Sequence, residues 1–183
     1  MTTNFIYTRK VCLGVGRYFL DRLAMEARSL DEALRICTHP ERAYAFHHVI
    51  ASASEGRMLA VEVTPTRKSV QTVEGLYLHT NHLVHAALAD EPEDAAHVGK
   101  SSLSRWRALE RWRASRREAG RPHGAELVHA LSSHESQPLS LCRHPAGELR
   151  GSTLLTALFE GRRMRVYRGQ PCAGRRTEYP SLI

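Results

Sequence analysis

Helical spacing begins at Gly16, where Phe19, Leu20, Leu23 and Ala27 recur three and four residues apart and predict a helix. Residues 1–15 before and around it are mixed, and 1–13 form a poorly patterned N-terminal segment. Ser29-Leu30-Asp31-Glu32 has the spacing of a capping box, so a second helix should start there and run to about Cys37. His39-Pro40 ends it, because the residue before a proline is pushed out of the helical region. Tyr44 to Ser52 is apolar and aromatic, Ser54 to Arg57 reads as a turn, and Met58 to Val63 alternates up to Pro65. Short runs at Ser69–Val73 and Leu76–His79 complete a predicted meander, a sheet with one polar face.

Beyond Asn81 the pattern changes. Ala86 to Gly99 is acidic and rich in small residues, as an exposed loop or frayed helix would be. Ser101 to Ala119 is predicted as a long helix with Ser101 or Ser102 as its cap, stopped by Gly120-Arg121-Pro122. A shorter helix at Ala125–Ser132 precedes three strand candidates, Leu139–His144, Thr153–Phe159 and Arg163–Tyr167. Glu160-Gly161-Arg162 is the turn between the last two. The tail Gln170–Ile183 is read as irregular. Helices, strands, helices, strands in that order indicate an α+β layered fold.

The length of 183 residues suits one domain, taken as residues 1–183, with a real core. The 42% of apolar residues excludes a disordered chain, and no apolar run reaches the ~18 residues of a membrane span. No signal peptide is read at Met1–Ile6, which points to the cytoplasm. In that setting Cys12, Cys37, Cys142 and Cys172 should be reduced, each by default a small buried hydrophobe. The net charge of +7 favours anionic partners such as CoA phosphates, carboxylates or nucleic acid, but is also an ordinary solubility device.

His79-Thr80-Asn81-His82 is the most informative segment. It places an amide between two histidines at the end of the apolar run Leu76-Tyr77-Leu78. Polar groups brought into an interior must be paired or used. An amide held there can donate to a developing oxyanion, one of the largest contributions to acyl-transfer catalysis. His79, His82 and His85 also have HxxHxxH spacing, with His134, Cys142 and His144 downstream. The first three leave a strand rather than sharing a helix face, and neither HExxH nor a close cysteine pair is present, so no metal site is expected. Arg105, Arg107, Arg111, Arg113, Arg116 and Arg117 crowd a segment bearing Trp106 and Trp112. Leu103, Trp106 and Leu109 give that helix an ordinary apolar stripe. The arginines then face solvent, and specific nucleic-acid binding is not expected. Cys12 follows Arg9 and Lys10, which would favour a thiolate, but an internal cysteine is by default a small buried hydrophobe.

Several segments together resemble the acyl-CoA:6-aminopenicillanate acyltransferase family of N-terminal-nucleophile cysteine hydrolases, over its C-terminal half. Gly14-Val15-Gly16-Arg17-Tyr18-Phe19-Leu20 is similar to the family's GVPRxFL, and Glu26 to Leu34 to its EAxSLEEAL. His79 to His82 matches its HTNH. Ser101-Ser102 with Arg105 resembles SSxxR, Leu139 to Pro145 resembles SICRHP, and Gly169 to Cys172 with Glu178-Tyr179 resembles GxPC…EY.

The resemblance implies part of an αββα sandwich, its N-terminal part missing. It also implies acyl transfer or amide hydrolysis on small molecules or peptides, using an N-terminal cysteine as nucleophile and its α-amino group as base. Asn81 would donate to the oxyanion, and Arg143 would orient the site or a substrate carboxylate. His79 and His82 would lie at the substrate. No cofactor is implied, and acyl-CoA is a candidate substrate. The family nucleophile lies well upstream of GVPRxFL, ahead of a GLNxxGL motif, whereas residues 1–13 alone precede Gly14 here. The chain is therefore expected to be inactive alone. It should associate with itself or with a partner carrying the N-terminal half, since half a sandwich leaves apolar surface uncovered. The alternative is a non-catalytic binding domain that uses the arginine helix on anionic ligands.

Overall fold

In the computed structural model, residues 1–116, 120–161 and 163–179 are described, with backbone alone for 96–99. Where one domain is expected, the chain divides into two compact units, Met1–Ser102 and Leu103–Ile183.

The first unit contains β1 (Thr2–Ile6), α1 (Arg17–Met25), α2 (Leu30–Cys37), β2 (Ala45–Ser52), β3 (Arg57–Val63) and β4 (Lys68–Thr72), and leads into α3 (Ala95–Ala114). Its four strands pair antiparallel in chain order. The β2–β3 register sets Phe46 opposite Val63, His48 opposite Val61 and Ile50 opposite Leu59. These residues share one pleat face, since side chains alternate along a strand. Phe46, Ile50, Leu59, Val61 and Val63 pack there against Ala24 of α1 and Leu30, Ala33 and Cys37 of α2. Burying a side chain of this kind contributes about 1.5–3 kcal/mol.

Local chemistry explains where α2 begins and ends. Ser29 Oγ accepts from the Glu32 amide at 3.1 Å, and the Glu32 carboxylate accepts from the Arg28 amide at 2.8 Å. Past the other end, the buried Arg42 guanidinium donates to the carbonyls of Thr38, His39, Thr64 and Arg67. One cation thus satisfies the two carbonyls that follow the helix and ties them to the β3–β4 turn.

The helical stripe of α1 splits: Leu20 and Ala24 are buried, whereas Phe19 and Leu23 are exposed. The N-terminal segment, unpatterned in sequence, is the edge strand β1. Leu76–His79 forms no strand, because the amides that follow it bind a side chain rather than a neighbouring strand. The acidic stretch holds a short 3₁₀ turn at Ala86–Leu88. The long helix begins at Ala95, so Ser101 and Ser102 lie inside it and do not cap it; its predicted end at 117–119 lies outside the described residues.

The second unit contains α4 (Gly124–Leu131), β5 (Leu155–Glu160), β6 (Arg163–Arg168) and β7 (Arg176–Tyr179), the strands pairing antiparallel in that order. Gly124 lets α4 approach β5: a Cβ there would lie 2.6 Å from Leu158 Cδ2 and 2.4 Å from Glu160 Oε1. Leu158 and Tyr167 are buried on that side of the sheet. The opposite pleat face carries Leu155, Ala157, Phe159, Met164, Val166 and Tyr179, and Leu155, Phe159 and Tyr179 are 58%, 55% and 39% exposed. Leu139–His144, predicted as a strand, is an irregular loop, and β7 appears in the predicted irregular tail. With four helices and two antiparallel sheets among the described residues, the fold is α+β. Each unit sets helix on sheet, the kind of layer pair that part of an αββα sandwich would contain.

Candidate functional site

The second face of the first sheet holds His47 opposite Glu62, and Ser69 beside Glu62 on β4. The predicted polar face is therefore present, but it is not wet: Glu62 is fully buried and His47 is 1% exposed. The segment from Tyr77 to Leu88 binds to it. Glu62 Oε1 accepts from His79 Nε2 at 2.8 Å and from the Val84 amide at 2.7 Å, and Oε2 accepts from the His85 amide at 3.0 Å. His79 Nδ1 donates to the Thr80 carbonyl at 2.6 Å. Each nitrogen of the His79 ring thus faces an acceptor, and the ring is fixed between Glu62 and its own loop backbone. Burial alone would raise the Glu62 pKa, but the bonds from His79, Val84 and His85 outweigh it and hold the carboxyl below its ordinary value. His47 stacks on His79 with ring centroids 3.4 Å apart. Burial, then the charge of His79, pushes His47 down to about 2, so it stays neutral.

The rest of the loop is pinned in the same manner. His85 bonds through Nδ1 to Ser69 Oγ and through Nε2 to the Tyr77 hydroxyl, both at 3.0 Å. Ser102 Oγ, on α3, lies 3.0 Å from Thr80 Oγ1 and 2.9 Å from His82 Nδ1, and accepts from the Asn81 amide N–H at 2.8 Å. Ser102 thus closes the loop from within the helix. Asn81, partly exposed, donates from Nδ2 to the Phe5 carbonyl of β1 at 3.0 Å.

His79 and His82 are the histidines expected at the substrate. Both rings are buried, one on Glu62 and one on Ser102, and they hold the loop that presents Asn81. The same bonds occupy ring nitrogens of His79, His82 and His85. Glu62 and Ser102 are the residues that sequence reasoning missed. The available signal was a lone carboxylate between Val61 and Val63 in an apolar run.

Arg143 lies in the second unit. Its amide donates to Thr153 Oγ1 at 2.9 Å and its carbonyl accepts from the Thr153 amide at 3.0 Å. Its side chain runs along Gly151, where a Cβ would sit 3.2 Å from a guanidinium nitrogen. Burial, and then the Arg143 charge, lower the Arg105 pKa, which marks the two guanidiniums as neighbours. Arg111, Arg113 and Arg116 pair with Glu135, Glu110 and Glu126 respectively. Two cations of α3 and Arg116 in the turn after it are thus engaged with carboxylates of their own unit, and Arg117 lies outside the described residues. Of the cysteines, Cys37 and Cys142 are buried as expected, but Cys12 and Cys172 are exposed, both in loops or turns.

Among curated proteins, none matches the chain. The family comparison does match, and over a span that holds both the Asn81 loop and the Arg143 loop: the acyl-coenzyme A:6-aminopenicillanic acid acyl-transferase model covers residues 1–172, and the chain belongs to that family.

Proposed function

We propose that this chain supplies the oxyanion-stabilising side of a cysteine acyl-transfer or amide-hydrolysis site of the N-terminal-nucleophile type. The observation that supports this reading most is the loop 79–85. It is clamped by Glu62 beneath and Ser102 beside, and it presents the Asn81 amide as a fixed, partly exposed donor. A preorganised amide of this kind stabilises charge that develops on a carbonyl oxygen without reorganising during the reaction. Arg143, with Arg105 beside it, is assigned to an anionic group of the substrate, a carboxylate or the phosphates of an acyl-CoA.

The nucleophile is assigned to residues outside these 183. Cys37 and Cys142 are buried, and burial pushes the Cys37 thiol up to about 12. Cys12 is exposed and has no histidine as a hydrogen-bonding partner among the described residues. An N-terminal cysteine with its own α-amino base would complete the site. None of the described helices is long and apolar enough to cross a membrane. With three arginines of this segment internally paired, no observation favours the binding-domain alternative.

The test is an assay of amide hydrolysis and thiol acylation by the purified chain, alone and with a polypeptide of the same family bearing an N-terminal cysteine. No turnover is expected alone. In the complemented enzyme Asn81→Ala should lower kcat by about 10²–10³ with the urea midpoint retained. Turnover by the isolated chain that disappears in Cys12→Ala would overturn the assignment.

A further inference from the structure

Four side chains of the second unit converge outside the proposed acyl-transfer residues. His134 follows α4, Cys142 and His144 flank Arg143 in the next loop, and Cys172 lies in the short 3₁₀ turn Pro171–Ala173 after β6. Their ligand atoms all lie within 4.8 Å of one another. His134 Nε2 is 3.1 Å from His144 Nε2, and that same nitrogen is 3.6 Å from Cys142 Sγ and 3.3 Å from Cys172 Sγ. A tetrahedron of zinc–nitrogen bonds near 2.0–2.1 Å and zinc–sulfur bonds near 2.3 Å has edges of about 3.3–3.8 Å. The three distances are close to such edges. They bring together two thiols and two imidazoles from three separate stretches of chain.

We propose that His134, Cys142, His144 and Cys172 form a structural Cys₂His₂ zinc site. Two thiolates and two neutral imidazoles suit a borderline-soft divalent ion without geometric preference, and four protein ligands leave no open position for water. On binding, each thiol releases its proton to solvent and its sulfur lone pair goes to the ion, so two thiolates balance the dication. The site joins the loop after α4 to the turn after β6. Because Cys142 and His144 lie on either side of Arg143, the ion also fixes the backbone that carries this guanidinium. Such a site needs reduced cysteines, and all four in the chain are free. It depends on none of the residues assigned to oxyanion stabilisation.

The test uses the full chain, purified with a reductant, passed over a weak chelator and analysed for bound metal. One zinc per chain is expected. Cobalt substitution should give thiolate-to-cobalt charge-transfer absorption and the intense visible bands of tetrahedral cobalt. Cys172→Ser and His134→Ala change exposed side chains and should fold normally by circular dichroism, yet lose zinc affinity at least tenfold. Cys12→Ser should retain wild-type affinity. Zinc should also protect Cys142 and Cys172, but not Cys12, from alkylation. Substoichiometric zinc with no cobalt bands would overturn the proposal. So would equal zinc loss in Cys12→Ser and Cys172→Ser, or a Cys142–Cys172 disulfide that forms in air at saturating zinc.

Discussion

Glu62 accepts three hydrogen bonds from the 79–85 loop, while Val61 and Val63 beside it are buried in the apolar core. Glu62→Ala leaves the buried His79 ring and two amides without the carboxylate that accepts from them. Each buried donor left unsatisfied costs about 1–3 kcal/mol, and urea unfolding measured against wild type should show a loss of about 3 kcal/mol or more. The histidines make a second prediction. His47 and His48 are held by burial at about 2 and about 4, against 6.5 in an unfolded chain. Below pH 6.5 the unfolded state takes up a proton on each ring and the folded state does not. Stability therefore falls as pH drops, by about 1.4 kcal/mol per pH unit for each ring, with both acting down to pH 4, and His85, also lowered by burial, adds to the decline. Glu62, lowered in the fold, adds to the loss below its ordinary 4.5, while Asp21 and Glu93, raised by burial, oppose it in the acid range. Urea titrations between pH 6.5 and 4 should show the decline, and His48→Gln should reduce its slope by one proton. A flat profile would contradict it. Asn81 and Arg143 stood out in the sequence because an amide and a guanidinium in short motifs are conspicuous. Ser102 did not, because a serine near a helix start reads as a cap.

At the level of elements, local signals were legible and long-range ones were not. Ser29 and Glu32 announce α2, and β2, β3 and β4 follow from alternation near turns. The runs Leu76–His79 and Leu139–His144 read as strands because they are apolar, yet the backbone of the loops they open is bonded to side chains: Glu62 in the first, Ser140 and Thr153 in the second. β1 and β7 are short edge strands, defined by the neighbour they join rather than by a pattern of their own. The glycine that opens the GVPRxFL-like motif has a spatial reason. Val15 donates to the Glu41 carbonyl at 2.7 Å, and a Cβ on Gly14 would lie 2.2 Å from that same oxygen. Backbone cannot swing away as a side-chain tip can. Gly14→Ala should destabilise by about 1–3 kcal/mol, whereas Gly120→Ala, with nothing within 4 Å, should leave the thermal midpoint unchanged.

For the whole molecule, the α+β class was readable from the order of elements, and the family from motifs spread along the chain. The division into two units was not, since it falls inside α3, where the helical pattern continues without a break. Exposed Phe19 and Leu23 on α1, and Leu155 and Phe159 on the second sheet, are apolar surface of the kind that seeks cover. The isolated chain should bind an apolar-sensing dye and associate in light scattering, and a nucleophile-bearing partner should suppress both. A clean monomer without dye binding would contradict that view.

The placement of Glu62 has one more consequence. In β3 the carboxylate and the valines on either side alternate between two buried faces, so they share a single register. Slippage by one residue would drive the carboxylate into the apolar layer and turn a valine toward the histidines. The anchor of the Asn81 loop therefore cannot be misplaced by such an error while the core survives. Folding of the sheet proofreads the site, and any molecule that passes this check already carries the loop in position.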